Sequence, residues 1–179
     1  MESTMAAIQL LFIRYQLSLR PLNLSDVDDV LVWLTDDQVS HYCRWETYTS
    51  KEDALDYITN IAIPHPWYRA ICLDNTLLGI EILIPLLKLI CRGELGYVVG
   101  SSYLGKGIAT KAVRMVVDCI FDEWKELERV EALVNVGSQR VLEKAGFVKE
   151  GVLRKYCILK GSTRDMVMFS FLKTDPKVE

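Results

Sequence analysis

The sequence predicts a mixed α/β fold, and two changes of hydrophobic pattern support this class. Three extended segments, Trp67–Leu73, Leu78–Leu86 and Gly93–Val99, follow one another with short connections, which predicts an antiparallel meander. From Ile108 onward apolar residues recur three or four positions apart, which predicts a long amphipathic helix. An extended segment at Arg129–Val134 then completes a strand–loop–helix–strand crossover.

The first third of the chain predicts one strand and two helices. Residues 17–22 alternate between apolar and polar side chains, as strand residues do. Ser25 is placed to cap a helix that ends near Leu34, because acidic residues fill the first turn. A capping serine also begins a second helix over Ser50–Ile63. The segment between the two, Gln38–Thr49, has little periodicity and predicts a loop.

The last third predicts a short helix followed by two strands. The helix covers Ser138–Ala145 and ends at Gly146, a residue suited to the left-handed conformation that follows many helices. The segments Phe147–Leu159 and Arg164–Leu172 are extended on either side of Gly161. No repeat or linker divides the chain, so we expect a single domain over residues 1–179.

Composition excludes several classes of protein. The chain has 179 residues, 50% of them hydrophobic, and a formal net charge of −3, which argues against disorder and does not suggest a nucleic-acid or membrane-surface partner. The five cysteines are scattered, and His41 and His65 lack ligand-like neighbours, so we expect a reduced compartment and no metal site. The apolar runs Met5–Ile13 and Leu77–Ile90 are short or interrupted, which predicts no membrane span and a cytoplasmic or nuclear location.

The most informative segment is Gly93–Ala112, in which a strand leads through a glycine-containing loop into the long helix. Exposed backbone N–H groups at a helix start bind anions, and glycines such as Gly105 and Gly107 allow a phosphate to approach closely. A plain strand–helix turn would use the same glycines. The spacing from Gly100 to Lys106 nearly matches a P-loop, but Gly107 stands where a hydroxyl would hold magnesium. The dinucleotide fingerprint lacks its third glycine.

Three linked motifs resemble the GNAT acyl-CoA N-acyltransferases, and among them the RimJ/RimL-like branch that acetylates ribosomal-protein N-termini. They are ELGY at 94–97, YLGKGIAT at 103–110, and the pair formed by N-x-x-S at 135–138 and VLEKAGF at 141–147. The resemblance extends from Leu17 to Leu172. It implies a central mixed, mostly antiparallel sheet flanked by helices, acetyl-CoA as the co-substrate and an amine acceptor, either a protein N-terminus or a small molecule.

The resemblance also implies which residues bind acetyl-CoA. Main-chain groups of Tyr97, Val98 and Val99 would contact the pantetheine arm, and Asn135 would contact it as well. The pyrophosphate would lie against the loop residues Leu104, Gly105, Lys106, Gly107, Ile108 and Ala109. Ser102 stands where the family usually has Gln or Arg. The connection between Val134 and Asn135 is shorter than in family members by about three residues. Loops of this class are only a few residues long, so this is a large difference.

Acetyl transfer to an amine requires a neutral amine and a protonated leaving thiolate, so a base and an acid should help. Glu94 is the candidate base, and an ion-paired or solvent-facing strand glutamate is the alternative. The resemblance suggests Ser138 as the acid, with Tyr156 as a second candidate. Ser138 is equally a helix N-cap, and Tyr156 is equally a structural aromatic residue.

The acceptor is the least specified part of the prediction. An aromatic cluster could line an acceptor groove or fill the core; its members are Tyr42, Trp45, Tyr48, Trp67 and Tyr68. The protein would be a monomer or a homodimer. A different class, a catalytically idle acyl-CoA-binding or partner-binding module with the same fold, is motivated by the short Val134–Asn135 connection and by the apolar Leu86–Ile90 segment.

Overall fold

The computed structural model describes residues 16–41, 43, 45–85, 91–135 and 138–178. Seven strands form one sheet in the order β1-β2-β3-β4-β5-β7-β6. The strands are β1 Leu17–Arg20, β2 Tyr68–Leu73, β3 Thr76–Pro85, β4 Arg92–Val99, β5 Arg129–Val134, β6 Val148–Leu159 and β7 Ser162–Leu172. The helices are α1 Val27–Leu34, α2 Asp37–Ser40, α3 Lys51–Tyr57, α4 Ile108–Glu123 and α5 Gln139–Lys144.

The sheet is mixed and mostly antiparallel, which confirms the predicted fold class. The β2–β3–β4 meander is antiparallel throughout, and β4 and β5 form the one parallel pair among the described strands. Helix α4 is the crossover between these two parallel strands, as the change of hydrophobic period predicts. The β6–β7 hairpin turns at Gly161, whose φ is +73°.

Helices cover both faces of the sheet with separate cores. One cluster packs α4 and α5 against β5 and β7, with Val116 and Phe169 fully buried. The other packs α1 and α3 against β2 and β3, with Trp33 and Ile80 fully buried. Both cores therefore pack against the sheet, one on each face. A site between the strands has packed side chains on both faces of the sheet.

The start of α1 differs from the prediction. A short 3-10 turn, Leu24–Asp26, precedes the helix, so Ser25 lies inside that turn and its predicted capping role is wrong. Asp26 has the organising role instead, because its carboxylate accepts the backbone N–H of Asn23 at 2.8 Å and two bonds from Arg20 at 2.7 and 2.8 Å. The Arg20 hydrogen bonds lower the pKa of Asp26.

The predicted loop at Gln38–Thr49 is wrong over its first residues, which form α2. Asp36 begins this helix, since its carboxylate accepts the backbone N–H of Gln38 at 2.9 Å. The cap of α3 is confirmed: Ser50 Oγ accepts the N–H of Asp53 at 3.1 Å. Helix α3 then continues as a π-helical turn, Ile58–Ala62.

Some predictions fall on residues outside the described ranges. These are the N-terminal run Met5–Ile13, the aromatic residue Tyr42 and the apolar segment Leu86–Ile90. Within the described part of the chain, no helix is long and apolar enough to cross a membrane. The same residues contain no group of three or more His, Cys, Asp or Glu side chains placed to hold a metal ion.

Candidate functional site

The site begins where β4 and β5 separate. Strand β4 pairs with β3 from Gly93 to Val99, but its ladder with β5 contains only three pairs and ends at Glu94. Beyond that position the two parallel strands diverge, and the β5-facing edge of residues 95–99 is left open. Backbone donors and acceptors on such an edge can pair with an extended, amide-containing ligand.

Charged side chains fasten the closed end of this wedge. Glu131 of β5 is 4% exposed and accepts from Arg92 of β4 at 3.1 Å and from Arg129 at 3.0 Å. Arg129 also donates two bonds of 2.6 Å to Glu150. These bonds lower the pKa of Glu150 to about 2, with a further contribution from the Ser170 hydroxyl. The Arg92–Glu131 pair joins β4 to β5 just before the strands diverge, and Arg129 joins β5 to β6 through Glu150.

A cavity of about 640 Å³ occupies the wedge, a volume suited to a ligand with an extended arm. It brings together most of the predicted site residues: Tyr97, Val98, Val99, Leu104, Gly105, Gly107, Ile108, Ala109, Asn135 and Ser138. Glu94, Lys106 and Tyr156 are not among its lining residues. The contiguous motif at 103–110 and the distant pair at 135–138 therefore meet in one space.

The glycine loop presents backbone amides at one end of the cavity. Gly105 and Gly107 have φ angles of +73° and +79°, and a Cβ built on either residue meets nothing within 4 Å. Gly107 is the N-cap of α4 and has no side chain to cap it, so the first-turn N–H groups of this 16-residue helix receive no side-chain cap. Leu104 also lines the cavity, and its own N–H is bonded to the carbonyl of Ser101 at 3.1 Å.

Cationic side chains lie in the glycine loop and along the cavity. The ammonium of Lys106 lies 5.2 Å from the centre of the Tyr103 ring, a cation–π distance, although Lys106 itself does not line the cavity. Arg140 and Lys144 of α5 do line it. Neither residue was predicted from the sequence. Arg140 and Lys144 are four positions apart, which puts them on one face of the helix, and this spacing is the signal that could have found them.

The 3-10 turn Ser101–Tyr103 connects β4 to the glycine loop, and it is attached to the N-terminal half of the protein. The side chain of Ser101 hydrogen-bonds the carboxylate of Asp36, and this bond lowers the pKa of Asp36. Asp36 also caps α2. One carboxylate therefore fixes the loop relative to α2.

The three acid–base candidates occupy different surroundings. Glu94 is partly buried and lies at the last position of β4 that pairs with β5, where its partner is Glu131. Ser138 lines the cavity at the start of α5, where its side chain makes no capping bond. Tyr156 is 51% exposed, in the irregular part of β6 beside Lys155, whose φ is +50°. Of the two predicted acids, Ser138 is the one that the fold brings to the wedge.

A glycine opens the face of β4 on which Glu94 lies. Side chains alternate along a strand, so Glu94, Gly96 and Val98 share one face and Tyr97 lies on the other. Gly96 is exposed, lines the cavity, and leaves nothing within 4 Å of a built Cβ. Gly96 therefore leaves open space on the face of β4 that Glu94 shares, although Glu94 itself does not line the cavity.

The described members of the aromatic cluster belong to the hydrophobic cores. Trp67 and Tyr68 are 1% and 2% exposed, and Trp45 and Tyr48 pack partly buried against the α1–α3 core. The cavity is also lined by four uncharged side chains that were not predicted from the sequence: Gln38, Val39, Cys43 and Met166. Burial raises the pKa of the Cys43 thiol to about 12, so this thiol stays neutral.

Comparison with known proteins finds GNAT acetyltransferases that are similar in sequence and in fold. The family model described as an acetyltransferase (GNAT) domain matches residues 16–148. "Probable N-acetyltransferase YjcK" of Bacillus subtilis is 42% identical over 106 residues, and the match spans 57% of this chain and 58% of that relative's length. A GNAT-family acetyltransferase structure from Bacillus anthracis superposes with a TM-score of 0.79 at 25% identity, over 89% of this chain and 96% of that one. The structure of Mycobacterium smegmatis RimJ in complex with CoA-disulfide superposes with a TM-score of 0.74 at 26% identity. The match covers 87% of this chain and 81% of that one.

Proposed function

We propose that this chain, which belongs to the GNAT acetyltransferase family, transfers the acetyl group of acetyl-CoA to a primary amine by direct attack of the amine on the thioester. The observation that carries the proposal is the continuity of one cavity from the glycine loop at α4 to the open edge of β4. In this reaction a C–N bond forms and the C–S bond breaks. The amine loses a proton, and the departing thiolate gains one.

The residues present fit acetyl-CoA at each part of its length. The open first turn of α4 and the positive φ angles at Gly105 and Gly107 suit the pyrophosphate, with Arg140 and Lys144 adding positive charge. The free edge of β4 at Tyr97–Val99 suits the amides of the pantetheine arm, and Asn135 lies across the wedge from it. The similar structure of Mycobacterium smegmatis RimJ in complex with CoA-disulfide supports a CoA ligand for this fold.

The chemical steps use groups on both sides of β4. Glu94 would take the proton of the incoming ammonium, directly or through water, because the opening at Gly96 lets an amine reach its face of the strand. Ser138 would protonate the thiolate from the start of α5. A backbone N–H on the open edge near Val98 would polarise the thioester carbonyl.

The acceptor would meet the uncharged part of the cavity lining. Gln38, Val39, Cys43 and Met166 add no carboxylate to that lining, which suits an amine whose neighbouring group is neutral better than a polyamine with several charges. A peptide or protein N-terminus meets this description, and so does a small neutral amine. The ribosomal-protein branch suggested by the motifs is one case of the first class.

One observation favours a second candidate, an idle acyl-CoA-binding or protein-interaction module. Neither Glu94 nor Tyr156 lines the cavity, so two of the three acid–base candidates are not in contact with it. Such a module would bind acetyl-CoA without turnover.

Two measurements separate these functions. A thermal-shift titration with acetyl-CoA should raise the unfolding midpoint, because a ligand of the native state stabilises it. Release of free thiol from acetyl-CoA should then be followed with peptides bearing free N-termini, with spermidine and with simple primary amines. Turnover with at least one acceptor supports the enzyme. Binding with no turnover on any acceptor favours the module, and no shift at all removes acetyl-CoA from the proposal.

A further inference from the structure

One side-chain hydrogen bond crosses the wedge between the diverging strands. The hydroxyl of Tyr97 on β4 donates to the main-chain carbonyl of Ser138 at 3.3 Å, across 41 positions of sequence. The β4–β5 ladder has already ended at Glu94, three residues earlier. The bond therefore links β4 to Ser138, the residue that precedes α5. It does so beyond the point where backbone hydrogen bonds join β4 to β5.

The start of α5 is not held by a side-chain cap. The helix has only six residues, and the side chain of Ser138 makes no capping hydrogen bond to it. At the other end, α5 is anchored by the bond from Arg114 to the carbonyl of Lys144 at 2.8 Å and by the buried Leu142. Ser138 is thus at the less restrained end of a short helix, and it lines the cavity.

We propose that Tyr97 is a positioning residue whose hydroxyl, by holding the Ser138 carbonyl, fixes the Ser138 hydroxyl beside the thioester. The inference rests on the proposed function, in which Ser138 protonates the leaving thiolate. The ring of Tyr97 packs partly buried against the α4–α5 core, so the ring and the hydroxyl have separable roles. The proton of the hydroxyl is directed at the Ser138 carbonyl, which sets Tyr97 apart from a group that delivers its own proton.

The variant Tyr97→Phe keeps the ring and removes only the hydroxyl. With acetyl-CoA saturating and the best acceptor found, kcat should fall by about tenfold, while the Kd of acetyl-CoA stays within about twofold of wild type. Tyr48→Phe is the matched control: it removes the hydroxyl of a partly buried tyrosine that lies outside the cavity, and it should leave both values unchanged.

A double-variant cycle tests whether Tyr97 acts through Ser138. The pair Tyr97→Phe and Ser138→Ala together should be no slower than Ser138→Ala alone, because the second change has already removed the group that Tyr97 positions. Multiplication of the two separate effects would overturn the inference, and so would a Tyr97→Phe variant with unchanged kcat or with lost acetyl-CoA binding.

Hydrogen exchange provides a test that does not depend on turnover. In the protein without substrate, backbone amides at the start of α5 should exchange faster in Tyr97→Phe than in wild type, and those of α4 should not change. Equal rates at α5 would refute the positioning role even if the protein is an active enzyme. Faster exchange in a protein that turns over no acceptor would keep the positioning role and reject the proposed function.

Discussion

The glycine loop and the proposed acid–base residues are built from different parts of the chain. At the loop end of the cavity, the segment from Gly105 to Ala109 lies at a helix start. The acid–base candidates, which we call the reacting end, depend on where two strands diverge: Ser138, before α5, lines the cavity, and Glu94 of β4 lies outside its lining. The loop end is a local, main-chain site, whereas the reacting end is a non-local, side-chain site. We therefore expect changes at the loop end to abolish binding and changes at the reacting end to reduce rate.

The largest expected effect is at the loop end, from Gly107→Asp. This change adds a side chain at a φ of +79° and places a negative charge where a phosphate would approach. The Kd of acetyl-CoA, measured by calorimetry, should rise by at least about 100-fold, which is about 2.7 kcal/mol.

Gly161→Asp provides the matched control for that change. Gly161 has a φ of +73° and open space around its Cβ position, but it lies in the β6–β7 turn and does not line the cavity. Its variant should carry the same backbone strain with unchanged affinity. Equal losses in both variants would mean that strain, rather than the loop, explains the effect.

The next effect concerns the closed end of the wedge, where β4 and β5 are still paired. The loop end and the reacting end both depend on this pairing. Glu131→Ala leaves Arg92 and Arg129 without their buried partner and should lower the free energy of unfolding by about 2 kcal/mol in a urea titration. Glu128→Ala removes a carboxylate that is 55% exposed and pairs with Lys173, so it should change stability by less than about 0.5 kcal/mol. If the two variants are equally stable, Glu131 does not fasten the wedge.

At the reacting end, Glu94→Gln should lower kcat by about tenfold and flatten the dependence of rate on pH, because the variant has no carboxylate to accept a proton. The Kd of acetyl-CoA should not change. Glu126→Gln, an exposed glutamate after α4, is the control and should behave as wild type. A wild-type pH profile in Glu94→Gln would reject Glu94 as the base.

The smallest expected effect is at Gly96, between Glu94 and Val98 on the same face of β4. No positive φ requires glycine here, so Gly96→Val adds only bulk to the opening. The KM of the acceptor should rise by about fivefold, with the Kd of acetyl-CoA unchanged. A parallel loss of acetyl-CoA affinity would place the opening on the CoA side of the strand and remove the distinction between the two ends.

The same contrast explains which features the sequence could predict. Helix α4 and strand β5 begin at the predicted residues, Ile108 and Arg129, because hydrophobic periodicity over neighbouring residues determines them. The GNAT-like motif at 103–110 is also made of neighbouring residues, so its resemblance to the family implies the loop end from the sequence alone. Ser25 was wrong as a cap because Arg20, from a separate element, organises the turn around Asp26.

The reacting end could not be derived in this way. Nothing in the local sequence states that the β4–β5 ladder stops at Glu94, and that register decides which side chains face the cavity. Tyr156 follows the same rule: its strand was predicted, but the irregular pairing of β6 leaves it half-exposed and away from the lining residues. Arg140 and Lys144 became site residues only once α5 was placed beside the cavity.

The central claim is that backbone amides at the start of α4 hold the pyrophosphate of acetyl-CoA. Titration of isotope-labelled protein with acetyl-CoA, followed by the amide resonances, tests it most directly. The claim predicts that Gly105, Gly107, Ile108 and Ala109 show the largest shifts, with one shared Kd, and that Leu104, whose N–H is already bonded to Ser101, shifts less. Saturable binding with the largest shifts elsewhere, and with these four amides unmoved, would contradict it.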